Sequence, residues 1–552
     1  MGLSPGPYED LLGSTAVLRL KKLTPMNAEN KPTLITRMLK WIFRWRTLRH
    51  LLVLMVSLIT LTALVLTIER WRGRKAWAKF TKEMEQKGES LDLKNFIPKK
   101  PEDSENLASL PILQSLFLHA NQAQNSRSPG TSSPVSTNYS TATLQNINLQ
   151  ERMPKSTNRV DQSSPLKGIR TSFEQWKTFY VGNTNYPQAP AGADAATVMR
   201  AASSKYAPVL QEIRGAINRP YCVFPLRYED TVDTLLPHLS VVKSITSLAN
   251  FSALTQMAAQ NPEGAFDETM LTLKIAQCLK SEPTLISQLV RIATLSLAAN
   301  TAWEGLSRRL WNETQIKAIQ EMVATIDQLT DYGQTVRSER AFSNLIIEGM
   351  IGGDNKLVGM LTGGQGKVLS KLNLEGMMRQ NQLLINRLHQ DYSLALIDAT
   401  QRRAYPEKAN HFEDVVKNMP RTPYNILAKM LFPALDKTAA KMARSQSTLD
   451  CLVVSCAIER YRLANGHYPD ALSSLVPKWI SAVPNDVIDG QPLRYQKSAG
   501  GGYILYSIGW DQIDDNGSPV GYKSLKGDTS HTRLKAAELG DWTWMVPGLS
   551  QN

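Results

Sequence analysis

Hydrophobic residues along the chain follow several distinct patterns. From Leu51 to Ile68 the sequence reads LLVLMVSLITLTALVLTI, 18 residues without a charge, Pro or Gly. At 1.5 Å per residue that run reaches about 27 Å, near the thickness of a bilayer's hydrocarbon core. A transmembrane helix is predicted there. A cleavable signal peptide fits less well: the run begins 50 residues in, and Glu69-Arg70-Trp71-Arg72 follows it in place of a small-residue cleavage site. Next, Trp77, Phe80 and Met84 recur at helical spacing among Lys and Glu. They predict an amphipathic helix, lying on the membrane or leaving it as a stalk, with a stop at Lys87-Gly88.

Between about 195 and 350 the apolar period is that of helical hairpins. Phe266, Met270, Leu273, Ala276 and Leu279 form one stripe, and Leu285, Leu289, Ile292, Leu295, Ala299 and Trp303 another. Ser281-Glu282-Pro283 reads as the start of the second helix, and Asn312 with Gln315 as a capping pair before Ile316, Ile319, Val323 and Ile326. Helical patterning resumes over about 375–403 and 423–464, where Asn465-Gly466 ends it. The period then becomes two. Leu493 and Tyr495, followed by Tyr503 to Ile508 across Ala499-Gly500-Gly501-Gly502, predict a β-hairpin. The expected fold class is mainly α: a single transmembrane helix, an irregular α-helical domain, and a small C-terminal α+β module of one long helix plus an antiparallel sheet.

Composition divides the chain further. In 121–165, 29 of 45 residues are Ser, Thr, Asn, Gln or Pro, too polar to offset ordering entropy, so a disordered linker is expected. The expected order is a basic segment 1–50, the span 51–68, a membrane-proximal stalk 69–120, the linker, a helical domain 166–430, the α+β module 431–530 and a tail 531–552. Met38 opens a short basic stretch leading into the span and is read as a candidate start.

The formal net charge of +14 suggests a nucleic-acid partner until it is located. Residues 1–100 hold 19 Lys/Arg against 8 Asp/Glu, a balance of +11, and the remaining residues contribute +3. The basic excess surrounds the apolar run, with six Lys/Arg in the 20 residues before it and seven in the 20 after. Residues 31–88 are therefore expected to meet anionic headgroups, at about 1 kcal/mol per basic residue near the surface, and no nucleic-acid partner is expected. The near-equal flanks leave orientation undecided.

Local motifs for chemistry are few. Thr362-Gly363-Gly364-Gln365-Gly366-Lys367-Val368 departs from a phosphate loop at Leu361 and Val368, and a loop between helices is expected. Cys451 and Cys456 lie about 140° apart around one helix, a poor disulfide geometry, while Cys222 and Cys278 are either buried free thiols or a pair outside the cytoplasm. The seven histidines show no metal-ligand spacing, and no catalytic residue is assigned. Asp511, Asp514 and Asp515, ahead of Asn516-Gly517, put clustered oxygens on a turn directly after the predicted strand. That is the chemistry of a Ca²⁺ ligand set, or of a solvated turn with left-handed residues.

Two resemblances extend this reading. AIERYRLANGHYPDAL from Ala457, Val483-Pro484-Asn485-Asp486, Asp489 to Tyr495, and Tyr506-Ser507-Ile508-Gly509-Trp510-Asp511 resemble the C-terminal part of major type II secretion pseudopilins. The resemblance implies a pilin-like module with Ca²⁺ in the loop after the strand, on Asp511 and on Asp514 or Asp515. Trp510-Asp511-Gln512 departs from that family's Ala-Asp-Gly, and no prepilin cleavage motif is present. More broadly, AWAKFTKEMEQKGESLDLKNFIP and SEPTLISQLVRIA are similar to membrane-anchored proteins of planctomycete and verrucomicrobial bacteria. This implies an inner-membrane protein with a cytoplasmic N-terminus and its bulk outside the cytoplasm. The expected function is that of a scaffold or binding protein with partners in the envelope or a secretion-type assembly. An envelope hydrolase whose acids converge only in three dimensions is the alternative.

Overall fold

The computed structural model describes Met38 and residues 45–125, 164–228, 236–353, 375–432, 436–498, 500–518 and 540–548. The chain divides into two compact units, Met1–Val65 and Leu66–Asn552. The first contains the start of helix α1 (Trp45–Gln86), whose most apolar window has a mean hydropathy of 2.7 and no buried residue. This is a helix long and apolar enough to cross a membrane.

In the second unit, α1 continues from Leu66 and buries Glu69, Gly73, Phe80 and Met84. The Phe80 and Met84 stripe therefore faces protein. The helix stops where expected, with Gly88 in the left-handed region at φ 70°. Helices α2 (Pro111–Asn125), α3 (Phe173–Tyr180), α4 (Ala195–Ser204), α5 (Ala207–Ala216), α6 (Pro237–Ala258), α7 (Pro262–Ala276) and α8 (Leu285–Ser307) follow. Then come α9 (Glu313–Ala324), α10 (Gln328–Ile351), α11 (Glu375–Asp391), α12 (Pro406–Asn418), α13 (Ile426–Leu431) and α14 (Asp436–Asn465). Short strands β1 (Ile397–Asp398) and β2 (Arg403–Ala404) pair between α11 and α12.

Several boundaries follow from local chemistry. Asn261 caps α7 through Gly264 N–H with Pro262 in the first turn, and Asn312 and Gln315 form a reciprocal capping box on α9. Helix α8 starts later than Ser281-Glu282-Pro283 suggests, because the Thr284 hydroxyl accepts from Ser287 N–H and supplies the cap. Gly466, at φ 82°, closes α14.

Helix α14 runs through two of the main cores. Every residue from Leu449 to Arg460 on it is buried, so no amphipathic stripe is visible there. Leu452, Val454 and Ile458 join Trp303, Ile319, Tyr503 and Trp544 in one core, while Ala439, Met442 and Ala443 join Phe412, Phe432, Ile488 and Trp510 in the next. A third core holds Ile112, Val209, Ile245 and Ile275 of α2, α5, α6 and α7.

The C-terminal sheet has the antiparallel order β3-β4-β5, formed by Arg494–Lys497, Tyr503–Ser507 and Trp542–Val546. The predicted hairpin is its first two strands, in the register Tyr495 opposite Leu505. Its third strand lies within the stretch 531–552 that the sequence reads as a tail. Trp542, Thr543, Trp544 and Val546 are the β-forming residues that signal it, and Leu505 pairs with Trp544. Most of the linker and the whole Gly-rich loop at 361–368 lie outside the described residues.

Candidate functional site

The residues that carry the pseudopilin resemblance form a polar junction between the end of α14 and the sheet. Glu459, buried on α14, accepts from Arg462 Nε at 2.7 Å and from the Tyr468 hydroxyl at 2.9 Å. The Tyr468 ring stands edge-on to Tyr503 of β4 at 5.0 Å, and the Tyr495 hydroxyl of β3 donates to Pro469 O at 2.9 Å. Burial pushes the Glu459 carboxyl up, against the pull of Arg462. Arg460 extends the other way to Glu313 and Gln320 of α9. The AIERYRLANGHYP stretch thus closes a helix onto a sheet.

A second junction centres on Asp486, whose side chain is fully enclosed. Its carboxylate accepts from Ile488 N–H, Ile508 N–H, the Ser507 hydroxyl and Arg494 Nη1, all within 2.7–3.0 Å. Arg494 also donates to Asp489 Oδ2 at 2.6 Å and to Asp514 Oδ2 at 3.0 Å, so one guanidinium bridges three carboxylates.

The predicted ligand residues stand beside this hub. Asp511 Oδ2 accepts from Gly540 N–H at 2.7 Å, and Asp514 Oδ1 from Asn516 N–H at 2.9 Å. Asn516 and Gly517 take left-handed φ values of 56° and 78°, the geometry that Asp-Asn-Gly favours. Asp515 contributes its backbone N–H to the carboxylate of Asp541, which also accepts from Gly517 N–H at 2.7 Å. Asp541 organises the turn, and sequence reading missed it because it enters from residues far along the chain. Burial first, and the negative charges of Asp514 and Asp515 after it, push its carboxyl up to about 6. Among the described residues, no three His, Cys, Asp or Glu side chains are grouped as a metal shell. On this turn the carboxylates of Asp511 and Asp514 accept from backbone amides, and that of Asp514 also from Arg494.

A different site lies in the helical body. A cavity of about 460 Å³ is lined by Cys222, Lys274, Gln277, Cys278, Lys280 and Glu282, among others. Behind it the Glu282 carboxylate accepts from the Tyr228 hydroxyl at 2.7 Å and lies 3.6 Å from His238 Nε2. Both His238 ring nitrogens are buried without a hydrogen-bond partner among the described residues. Hydrogen bonding to Cys278, then burial, pushes the Cys222 thiol well up, so it stays protonated at neutral pH and is not a ready nucleophile. Sequence spacing gives no hint of this grouping, since His238 comes from α6, Cys222 and Tyr228 from the segment before it, and Cys278 and Glu282 from the connection between α7 and α8. No family model, curated protein or solved structure matches the chain.

Proposed function

We propose that the chain is a single-pass protein of a bacterial inner membrane, holding an extracytoplasmic helical body that serves as a scaffold or binding platform in the envelope. The observation that carries this reading is α1, whose apolar window exposes 18 or more consecutive residues to whatever surrounds the helix. The flanking basic residues suit anionic headgroups. The C-terminal α+β module, read as pilin-like, would engage a secretion-type assembly, and Ca²⁺ at Asp511, Asp514 and Asp515 belongs to the same reading.

Carbonate extraction and protease treatment of spheroplasts test it. The full chain should stay in the membrane pellet, and added protease should digest the body without lysis. Release by carbonate, or protection of the body until lysis, would overturn it. Affinity purification from crosslinked cells then identifies the partners. The hydrolase alternative is favoured by one observation, the Glu282–His238 pair behind the cavity. It requires a Glu282→Gln chain to lose hydrolysis of a cell-envelope substrate that the parent chain performs.

A further inference from the structure

We infer that the cavity in the helical body binds a small amphipathic anion, an acid whose carboxylate or phosphate group is carried on an apolar or aromatic body. Such a site needs neither the membrane reading nor the hydrolase reading. Its volume of about 460 Å³ falls among those that hold drug-sized ligands. Its chemistry follows from how charge and apolar surface are distributed on the walls.

Arg219, Lys274 and Lys280 line the cavity, and no carboxylate among the described residues pairs with any of them. Arg219 donates to the backbone carbonyls of Asp103 and Asn106 at 3.1 and 3.0 Å, and Lys274 of α7 to the Asn218 side-chain oxygen at 2.6 Å. Lys280 is exposed in the connection from α7 to α8. The two carboxylates on the same walls are already bonded. Glu282 accepts from Tyr228 and faces His238, and Asp331 of α10 accepts from the wholly buried Arg291 at 2.6 Å. Beyond residue 100 the chain has a balance of only +3, so this surplus of cations is local. A concave site with one sign of charge left over focuses the potential and draws in the opposite ion.

Gln277, also on the wall, adds a neutral donor. Its Oε1 accepts from Arg291 Nη2 at 3.0 Å, which fixes the amide, and its Nε2 is then a buried donor with no acceptor among the described residues. An anionic oxygen seated against this wall satisfies it. Apolar side chains share the walls: Leu107 is buried, Phe96 and Ile217 are half-buried, and Tyr221 is 50% exposed. A bare inorganic ion leaves these surfaces wet, whereas an acid with an apolar body covers them.

Photoaffinity labelling of the full chain, purified in detergent, tests this. Benzoylbenzoate and benzoylbenzylamine share one photoreactive body and differ in the sign of their charge, and adducts are mapped by peptide mass spectrometry. The acid should label the residues around Phe96, Ile217 and Tyr221 several-fold more than the amine does, and several-fold more than it labels Val181, an exposed apolar residue outside the cavity. Excess phenylacetate or phenyl phosphate should displace it, the better competitor naming the head group, and phenylethylamine should not. Lys280→Glu should cut the labelling several-fold. Lys243→Glu makes the same change in net charge at an exposed position on α6 outside the cavity and should leave it intact. Equal labelling by acid and amine, acid labelling no higher than at Val181, failure of both anions to compete, displacement by phenylethylamine, or labelling that Lys280→Glu leaves unchanged would each overturn the inference. None of these outcomes alters the result of carbonate extraction, so the anchor reading stands or falls separately.

Discussion

Single residues decide how tightly this chain closes. Gly376 has no room for a side chain, since a Cβ there would meet the Glu69 carbonyl and the Arg70 nitrogen. Gly215 sits in a helix with nothing within 4 Å of its missing Cβ. Gly376→Ala should therefore cost about 1–3 kcal/mol, and Gly215→Ala should gain about 0.5–1 kcal/mol, in chemical denaturation. Asp450 offers a pH test. Burial raises its carboxyl from 3.8 to about 6 despite Arg402 and Gln446. Between those values the folded chain holds a proton that the unfolded chain has lost, so this group's contribution to stability falls as pH rises through that window. Asp450→Asn should remove that decline, a difference on the order of 2–3 kcal/mol between pH 4 and 7 in a denaturation series. At the acidic turn, Ca²⁺ at ten times its Kd should stabilise the chain by about 1.4 kcal/mol. That gain should vanish in Asp511→Asn. A thermal scan without any Ca²⁺ shift leaves Asp514 to Arg494 and the Asn516 amide and ends the metal reading.

At the scale of elements, the segment after α1 is bound into the body by charge. Glu89 pairs with Arg337 at 2.9 Å and with Arg340 of α10 at 2.7 Å. Burial opposes the Glu89 charge, but the two guanidiniums outweigh it and hold its carboxyl below the usual range. The Arg340 side chain is wholly buried, so Glu89→Ala strands a cation and should cost about 3–5 kcal/mol in urea unfolding. Such pairings mark where sequence stops being legible. The apolar span, the α9 capping box, the Gly466 stop and the β3–β4 hairpin were readable because each depends on neighbours within a few residues. The burial of Phe80 and Met84 against protein, the pairing of Trp542–Val546 with β4, and the carboxylate of Asp541 on the turn all depend on partners tens or hundreds of residues away. Helix α14 hides its role for a related reason: buried on all sides, it shows no period to read.

Across the whole molecule, compartment and chain order set the remaining expectations. If the body stands outside the cytoplasm, Cys222 and Cys278, joined by a side-chain hydrogen bond, should oxidise to a disulfide, their electrons passing to a disulfide oxidant of the envelope. Non-reducing mass spectrometry should find the chain two hydrogens lighter, with the buried Cys451 and Cys456 reduced. Finding all four thiols free in protein taken from membranes would place the body in a reducing compartment. The third strand carries a further consequence. Trp303 Nε1 donates to Met545 O at 2.8 Å, Met545 N–H to Pro165 O at 2.7 Å, and Arg170 to Pro547 O at 3.1 Å. Residues made early and midway through synthesis thus wait for a strand made more than 230 residues after Trp303. Until Trp544 has been made, the core around α14 has an open side. Folding of this body should therefore finish late, once the last strand has been made, and not piece by piece as the chain grows.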